Sequence, residues 1–261
     1  MLLSRRRGLL GALPFLAAAP AWPQGQPADI AAASDLRFAL DDIAAAFQAA
    51  TGHRLRIIYG SSGNLTQQLL RGAPYQMFFS ADEGYVFQLA AAGRTLDQGA
   101  LYAEGRIVLF APHDSPLKVD EGLAGLRAAL AAGRIRRFAI ANPEHAPYGR
   151  AAQQALMAQG LWEALRPALV YGENVSQAAQ FATTGGAQGG IIAYSLALVP
   201  AVGTLGRFLL IPADLHAALR QRMVLMRDAG PAARAFQAYV LTLPARRVLR
   251  RNGFAFPDEV V

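Results

Sequence analysis

Short apolar runs of four to six residues alternate along this chain with longer stretches in which apolar residues recur every three or four positions. The first pattern reads as buried strands, the second as amphipathic helices. Strands are predicted at 29–34 (DIAAAS), 54–59 (RLRIIY), 76–80 (QMFFS), 106–111 (RIVLFA), 137–141 (RFAIA), 168–171 (ALVY), 189–194 (GGIIAY), 207–211 (RFLLI) and 222–226 (RMVLM). Helical patterns fill most of the intervals. In the stretch 35–53, Leu36, Leu40, Ile43 and Phe47 form one apolar face, and Gly52 is placed to end the helix in a left-handed cap. Strand–helix alternation predicts an α/β fold with largely parallel sheets. No low-complexity tether interrupts the pattern, so two lobes would have to share crossing strands, for which RIVLFAP and RMVLM are the candidates.

Polar residues cluster where strands give way to helices. Ser34 closes one strand and opens a helix. Ser61 and Ser62 precede a helix predicted over about 65–71, with Asn64 and Gln67 as a variant capping box and Gly72 and Pro74 as the stop. Asn174 and Gln177 repeat that spacing, which makes Val175 the first helical residue with a free N–H. Pro147 suits the first position of another helix, with Tyr148 in its first turn and Gly160 at its end. Helix N-termini carry unpaired N–H donors and about half a positive charge. Several converging beyond the carboxyl ends of strands would bind an anion without lysine or arginine. Each of these serines and asparagines is also, taken alone, an ordinary helix cap.

Composition narrows the classes. Hydrophobic residues make up 53% of 261, enough for a packed core. The absence of cysteine excludes disulfides, thiolate zinc sites and cysteine nucleophiles. The start, MLLSRRRGLLGALPFLAAAPAWPQG, has Arg5–Arg7, a short apolar run broken by Pro14, and small residues at 19–21, which is the anatomy of a signal peptide over 1–21. Its removal takes three arginines and no acid from a formal charge of +7, leaving +4. The other arginines are scattered, with no basic stripe between aromatics, so nucleic-acid binding is not expected. No histidine pair has metal-ligand spacing, and the acidic pairs Asp41–Asp42 and Asp82–Glu83 read as solvated helix surface.

Five segments taken together, AAASDLRFALDDIAAAF, GSSGNLTQQLLRGAP, FFSADEGYV, NPEHAPYG and GENVSQAA, resemble the periplasmic molybdate-binding proteins of ABC transporters, in order and over most of the chain. The resemblance implies a type 2 periplasmic-binding-protein fold: two α/β lobes joined by two crossing strands, with a ligand cleft between them. The lobes are expected at 28–107 plus 224–261 and at 108–223. It also implies a binder rather than an enzyme, which takes molybdate and tungstate through neutral donors and needs no cofactor. Ser34 would donate its hydroxyl and N–H, and Asp35 its N–H with the carboxylate turned away. Ser62 would donate its hydroxyl, with Ser61 as the alternative. Val175 and Tyr148 would donate backbone N–H groups. Tyr194 lies one residue past a family tyrosine, where this chain has Ala193, so Tyr148 could supply the phenol instead. Molybdenum would be present only as molybdate, contacted through Ser34, Ser62, Tyr148 and Val175. The implied partners are a membrane permease and its ATPase. A monomer is expected, in the periplasm, exported by the Sec or Tat route. Two rivals stand beside this reading: a binder of sulfate or phosphate, and a serine hydrolase using Ser62 with His145, against which the lack of a G-x-S-x-G elbow counts.

Overall fold

The computed structural model describes residues 26–256, so the expected signal peptide lies outside the described residues. The chain begins with β1 (Ala28–Ala33), a 3-10 turn (Ser34–Leu36) and α1 (Arg37–Thr51). Then follow β2 (Leu55–Gly60), α2 (Ser62–Leu70), β3 (Met77–Ser80), α3 (Glu83–Ala91) and β4 (Ala100–Gly105). After β5 (Ile107–Pro112) come α4 (Ala124–Ala131), β6 (Phe138–Ala141), α5 (Pro147–Ala158) and α6 (Trp162–Leu165). β7 (Leu169–Gly172), α7 (Val175–Thr183), β8 (Gly190–Ala193), α8 (Tyr194–Ala197), α9 (Pro200–Gly203) and β9 (Gly206–Leu210) continue the chain. β10 (Leu219–Leu225), α10 (Pro231–Val240) and α11 (Leu243–Arg251) complete it.

The strands form two five-stranded sheets with the same plan, β2-β1-β3-β10-β4 and β7-β6-β8-β5-β9. In each, three strands run parallel, and the fourth in order is the antiparallel strand that has just arrived from the other lobe. The crossings are at Arg106, between β4 and β5, and in the segment 211–218, between β9 and β10. β10 therefore belongs wholly to the first lobe, and the second crossing falls before position 223. The central strands of the second sheet, β6, β8 and β5, are apolar runs because both faces are covered, whereas in the first sheet β1 carries Asp29 and β10 carries Arg220, Gln221 and Arg222. In β3, Met77 and Phe79 enter one core while Phe78 enters another, and Met223 and Val224 divide in the same way. Leu36, Leu40, Ile43 and Phe47 are at most 1% exposed, as the helical spacing predicts. Each is worth about 1.5–3 kcal/mol by burial. Gly52 has φ +72° and donates to Gln48 as the cap.

Two expectations need correction. β4 was not among the predicted strands. Its sequence, ALYAEG, is poor in β-branched residues and holds its place by pairing with β10. α2 begins at Ser62, so Asn64 is its third residue and not its cap. Ser61 is extended (φ −78°, ψ 144°), and its hydroxyl accepts the Asn64 N–H at 3.4 Å.

Candidate functional site

Four strand-to-helix turns meet between the lobes. The first lobe supplies residues 33–35 after β1 and 60–62 after β2, with Ala81. The second supplies 146–148 before α5 and 174–175 after β7. The space they enclose is about 190 Å³, with open solvent at its mouth included. No lysine, arginine or histidine side chain lines it.

The donors are set by what each group already accepts. Ser62 is fully buried, and its Oγ accepts the Ala81 N–H at 3.0 Å. Ser34 Oγ accepts the Ser176 N–H at 3.3 Å from the opposite lobe. A hydroxyl that accepts in this way keeps its own proton to donate. Among the described residues, the N–H groups of Ser62, Tyr148 and Val175 have no intramolecular acceptor, because each lies in the first turn of its helix. Pro147 fills the first position of α5. Asn174 caps α7 by accepting the Gln177 N–H at 3.1 Å, and Gln177 Oε1 accepts in return from the Glu173 N–H at 2.7 Å. The cleft thus presents two hydroxyl protons and three amide protons, with three helix N-termini behind them. Such a set suits an oxyanion.

Asp35 departs from this neutrality. It is 1% exposed, and its Oδ2 accepts from Tyr148 Oη at 2.9 Å and from Gln221 Nε2 at 2.6 Å. Gln221 Oε1 accepts in turn from Tyr102 Oη at 2.6 Å. Oδ1 has no hydrogen-bond partner. Burial pushes the carboxyl up to about 6, against the smaller opposing effects of the bonds from Gln221 and Tyr148 and of the nearby backbone N–H groups of Asp35 and Leu36. The carboxylate, expected to turn away from the ligand, is buried and held by Tyr148 and Gln221.

A clasp closes the mouth of the cleft. The Gly63 N–H donates to His145 O at 2.9 Å, and Ser61 Oγ lies 2.8 Å from His145 Nδ1. Arg150 binds Asp82 across the lobes and donates to Tyr85 Oη at 2.9 Å, with its guanidinium 5.2 Å from that ring's centroid. Asp82 is therefore an interlobe partner, and Glu83 pairs with Arg220 at 2.7 Å and Arg222 at 2.9 Å, so neither acid is merely solvated.

A family model for bacterial extracellular solute-binding proteins matches residues 28–255. The chain belongs to this family. A molybdate-binding protein of Rhodobacter capsulatus is 33% identical over 216 residues, 82% of each chain. The periplasmic molybdate-binding protein of Azotobacter vinelandii superposes with a TM-score of 0.80 at 30% identity, over 88% of this chain and all of that one. The sulfate-binding protein SubI of Mycobacterium tuberculosis gives 0.74 at 14% identity, over 90% of this chain and 88% of its own, a likeness of fold alone.

Like its relatives, this solute-binding protein is a binder and not an enzyme. Of the residues singled out in the sequence, Ser34, Asp35, Ser61, Ser62, Tyr148 and Val175 line one cleft. Tyr194 does not line it. Its ring packs 4.9 Å from the Arg106 guanidinium and 6.3 Å from Phe208. The Tyr148 phenol is bonded to Asp35 and Gln221, which leaves the backbone N–H as the group free to serve a ligand. The hydrolase pairing has no geometric basis, because His145 Nδ1 meets Ser61 while Ser62 Oγ meets a backbone amide. Sequence reasoning missed Gln221, a buried amide that sits in β10 between Arg220 and Arg222. Its neighbours are both charged, so the local sequence carried no signal that this residue alone of the three would be buried. Among the described residues, no cluster of His, Cys, Asp and Glu could hold a metal ion, and no helix is long and apolar enough to cross a membrane.

Proposed function

We propose that this protein captures molybdate, with tungstate as its second ligand, as the extracytoplasmic substrate-binding component of an ABC transporter. The observation that carries the reading is the convergence of Ser34, Ser62, Tyr148 and Val175 from both lobes on a cleft without cations. The donors serve the oxyanion's oxygens through hydrogen bonds, and none ligates molybdenum. Neutral donors hold a dianion by charge-assisted bonds and release it without breaking a salt bridge. The identity with molybdate-binding relatives supports the choice of anion, and sulfate or phosphate is the alternative. Closure of the lobes completes the donor set and presents one surface to a permease driven by its ATPase. The protein acts as a monomer in the periplasm, after loss of residues 1–21 by the Sec or Tat route, and uses no cofactor.

Calorimetric titration of the mature protein with molybdate, tungstate, sulfate and phosphate tests the reading. One-to-one binding of the first two with silence from the others is expected. A response to sulfate or phosphate alone would replace the ligand, and silence for all four would overturn the function. Thermal melts provide a second readout, since a ligand at about 100 times its Kd adds roughly 2.7 kcal/mol.

A further inference from the structure

Asp35 is the one ionisable side chain lining the cleft besides Tyr148, whose phenol it holds. The hydrogen-bonding side chains around Asp35 come from α5, β10, β4 and α8, and none is a cation. Tyr148 from α5 and Gln221 from β10 donate to Oδ2, and Tyr102 from β4 stands behind Gln221. Ser195 of α8 donates to the Asp35 backbone carbonyl at 2.9 Å. Both phenols are pushed well above their usual range by burial and by Asp35, so they stay neutral. The positive charge in the cleft is the partial charge of helix N-termini, and a bound dianion would draw on the same source. A full carboxylate and a dianion would then share a buried space with no counter-ion.

We propose that the cleft takes up its dianion together with one proton, carried on Oδ1 of Asp35. The inference rests on the anion-binding reading above. Oδ2 is occupied by two donors, whereas Oδ1 is buried without a partner, so Oδ1 is the oxygen free to take a proton. The step is simple: a carboxylate becomes a carboxylic acid, the proton comes from solvent, and no bond of the anion breaks. Burial already brings the carboxyl up to about 6 before the charge of any anion is added, and a neighbouring dianion raises it further. With the lobes apart, the carboxyl loses Tyr148 and the cover of the second lobe, so water would reach it and lower it toward its ordinary range. The liganded state therefore binds more protons than the free state, and affinity falls as pH rises between the two values. The limit for one proton is tenfold per pH unit.

The test is titration with sodium molybdate from about pH 6 to pH 8, at each pH in two buffers of different ionisation enthalpy, with wild type and Asp35→Asn. Oxyanion buffers are avoided. Wild type should show a buffer-dependent heat corresponding to uptake of up to one proton, with affinity falling toward higher pH. Asp35→Asn, which keeps an acceptor for Tyr148 and places a neutral group at the second position, should bind with a flat profile and no proton uptake. Molybdate binding by wild type with no buffer-dependent heat at any pH would overturn the proposal and leave the function intact. The same slope in both proteins would overturn it as well, by placing the proton elsewhere. Failure of wild type to bind any of the four anions would remove the function and this inference together. Should Asp35→Asn fold poorly, the wild-type heats decide alone.

Discussion

Gly63 separates closure of the lobes from their folding. It is the second residue of α2, and its N–H reaches His145 O across the cleft. A Cβ built there would lie 2.6 Å from His145 O, 2.7 Å from Tyr85 Oη and 2.9 Å from His145 Cα. Two of these three atoms belong to backbone of the other lobe, which cannot rotate aside. Within the first lobe, alanine suits a helical position better than glycine by about 0.8–1 kcal/mol. Gly63→Ala should thus leave the unliganded lobes as stable as before, or slightly more so. The closed state would lose the Gly63–His145 bond, worth about 1 kcal/mol. It would also bear an overpacking strain of about 1–3 kcal/mol. Together these make about 2–4 kcal/mol, a loss of roughly 30- to 1,000-fold in affinity at about 1.4 kcal/mol per tenfold. Calorimetry with molybdate reads the affinity, small-angle scattering reads ligand-induced compaction, and a melt without ligand reads the fold. Wild-type affinity and compaction in Gly63→Ala would refute the closure argument. A large fall in melting temperature without ligand would show instead that the glycine serves the lobe itself.

Further substitutions separate donors from scaffolding. Ser62→Ala removes a hydroxyl donor, so the molybdate Kd should rise by about tenfold to a hundredfold in calorimetry, as for a hydrogen bond to a charged group. It also strands the buried Ala81 N–H, so a urea melt should show about 1–3 kcal/mol of lost stability, more than a bare cap serine would cost. Tyr148→Phe and Asp35→Ala, each of which removes the bond between them, should be strongly non-additive in a double-mutant cycle on molybdate affinity, by about 1–3 kcal/mol. Additivity would mean that their bond plays no part in closure. Asn174→Ala should cost about 1 kcal/mol of stability by uncapping α7, read in urea melts without ligand, and no loss would remove Asn174 as the cap.

Much of the architecture was legible because the strands are apolar on both faces and the helices carry their stop signals. Met77–Phe79 and Ile107–Ala111 announce themselves as runs, and Gly52 and Gly160 mark helix ends through their left-handed φ. β4 escaped because Ala100–Gly105 draws its strand character from its partner, which local composition does not record. α2 was placed late for a related reason. Ser61, Ser62 and Asn64 all satisfy the capping preference, Asn64 with Gln67 also fits the box spacing, and only the extended backbone at Ser61 decides among them. The binding turns could be read individually, since each contains a polar residue or proline at a helix start. Their convergence could not. Asp35 meets Gln221 across 186 positions, and Gly63 meets His145 across the lobe boundary. No periodicity encodes contacts of that range.

The division of the site between lobes follows from the same turns and sets how it works. Ser34 and Ser62 stand on the first lobe with three of the five donors, Tyr148 and Val175 on the second with two, so neither lobe alone offers the full set. An anion meets the full set only when the lobes are together, and that difference in affinity between open and closed forms is what can shift the population. The hinge feels the same event. Gly105 ends β4 one residue before the first crossing, and a Cβ there would lie 2.2 Å from Tyr148 Oη and 2.8 Å from Gln221 Nε2. Gln221 itself lies on β10, the strand that returns after the second crossing. The Asp35–Tyr148–Gln221 bonds therefore form where both crossings, both lobes and the cleft meet. A proton on Asp35, as proposed above, would change the strength of those bonds and so couple the charge of the anion to the contacts beside the crossings.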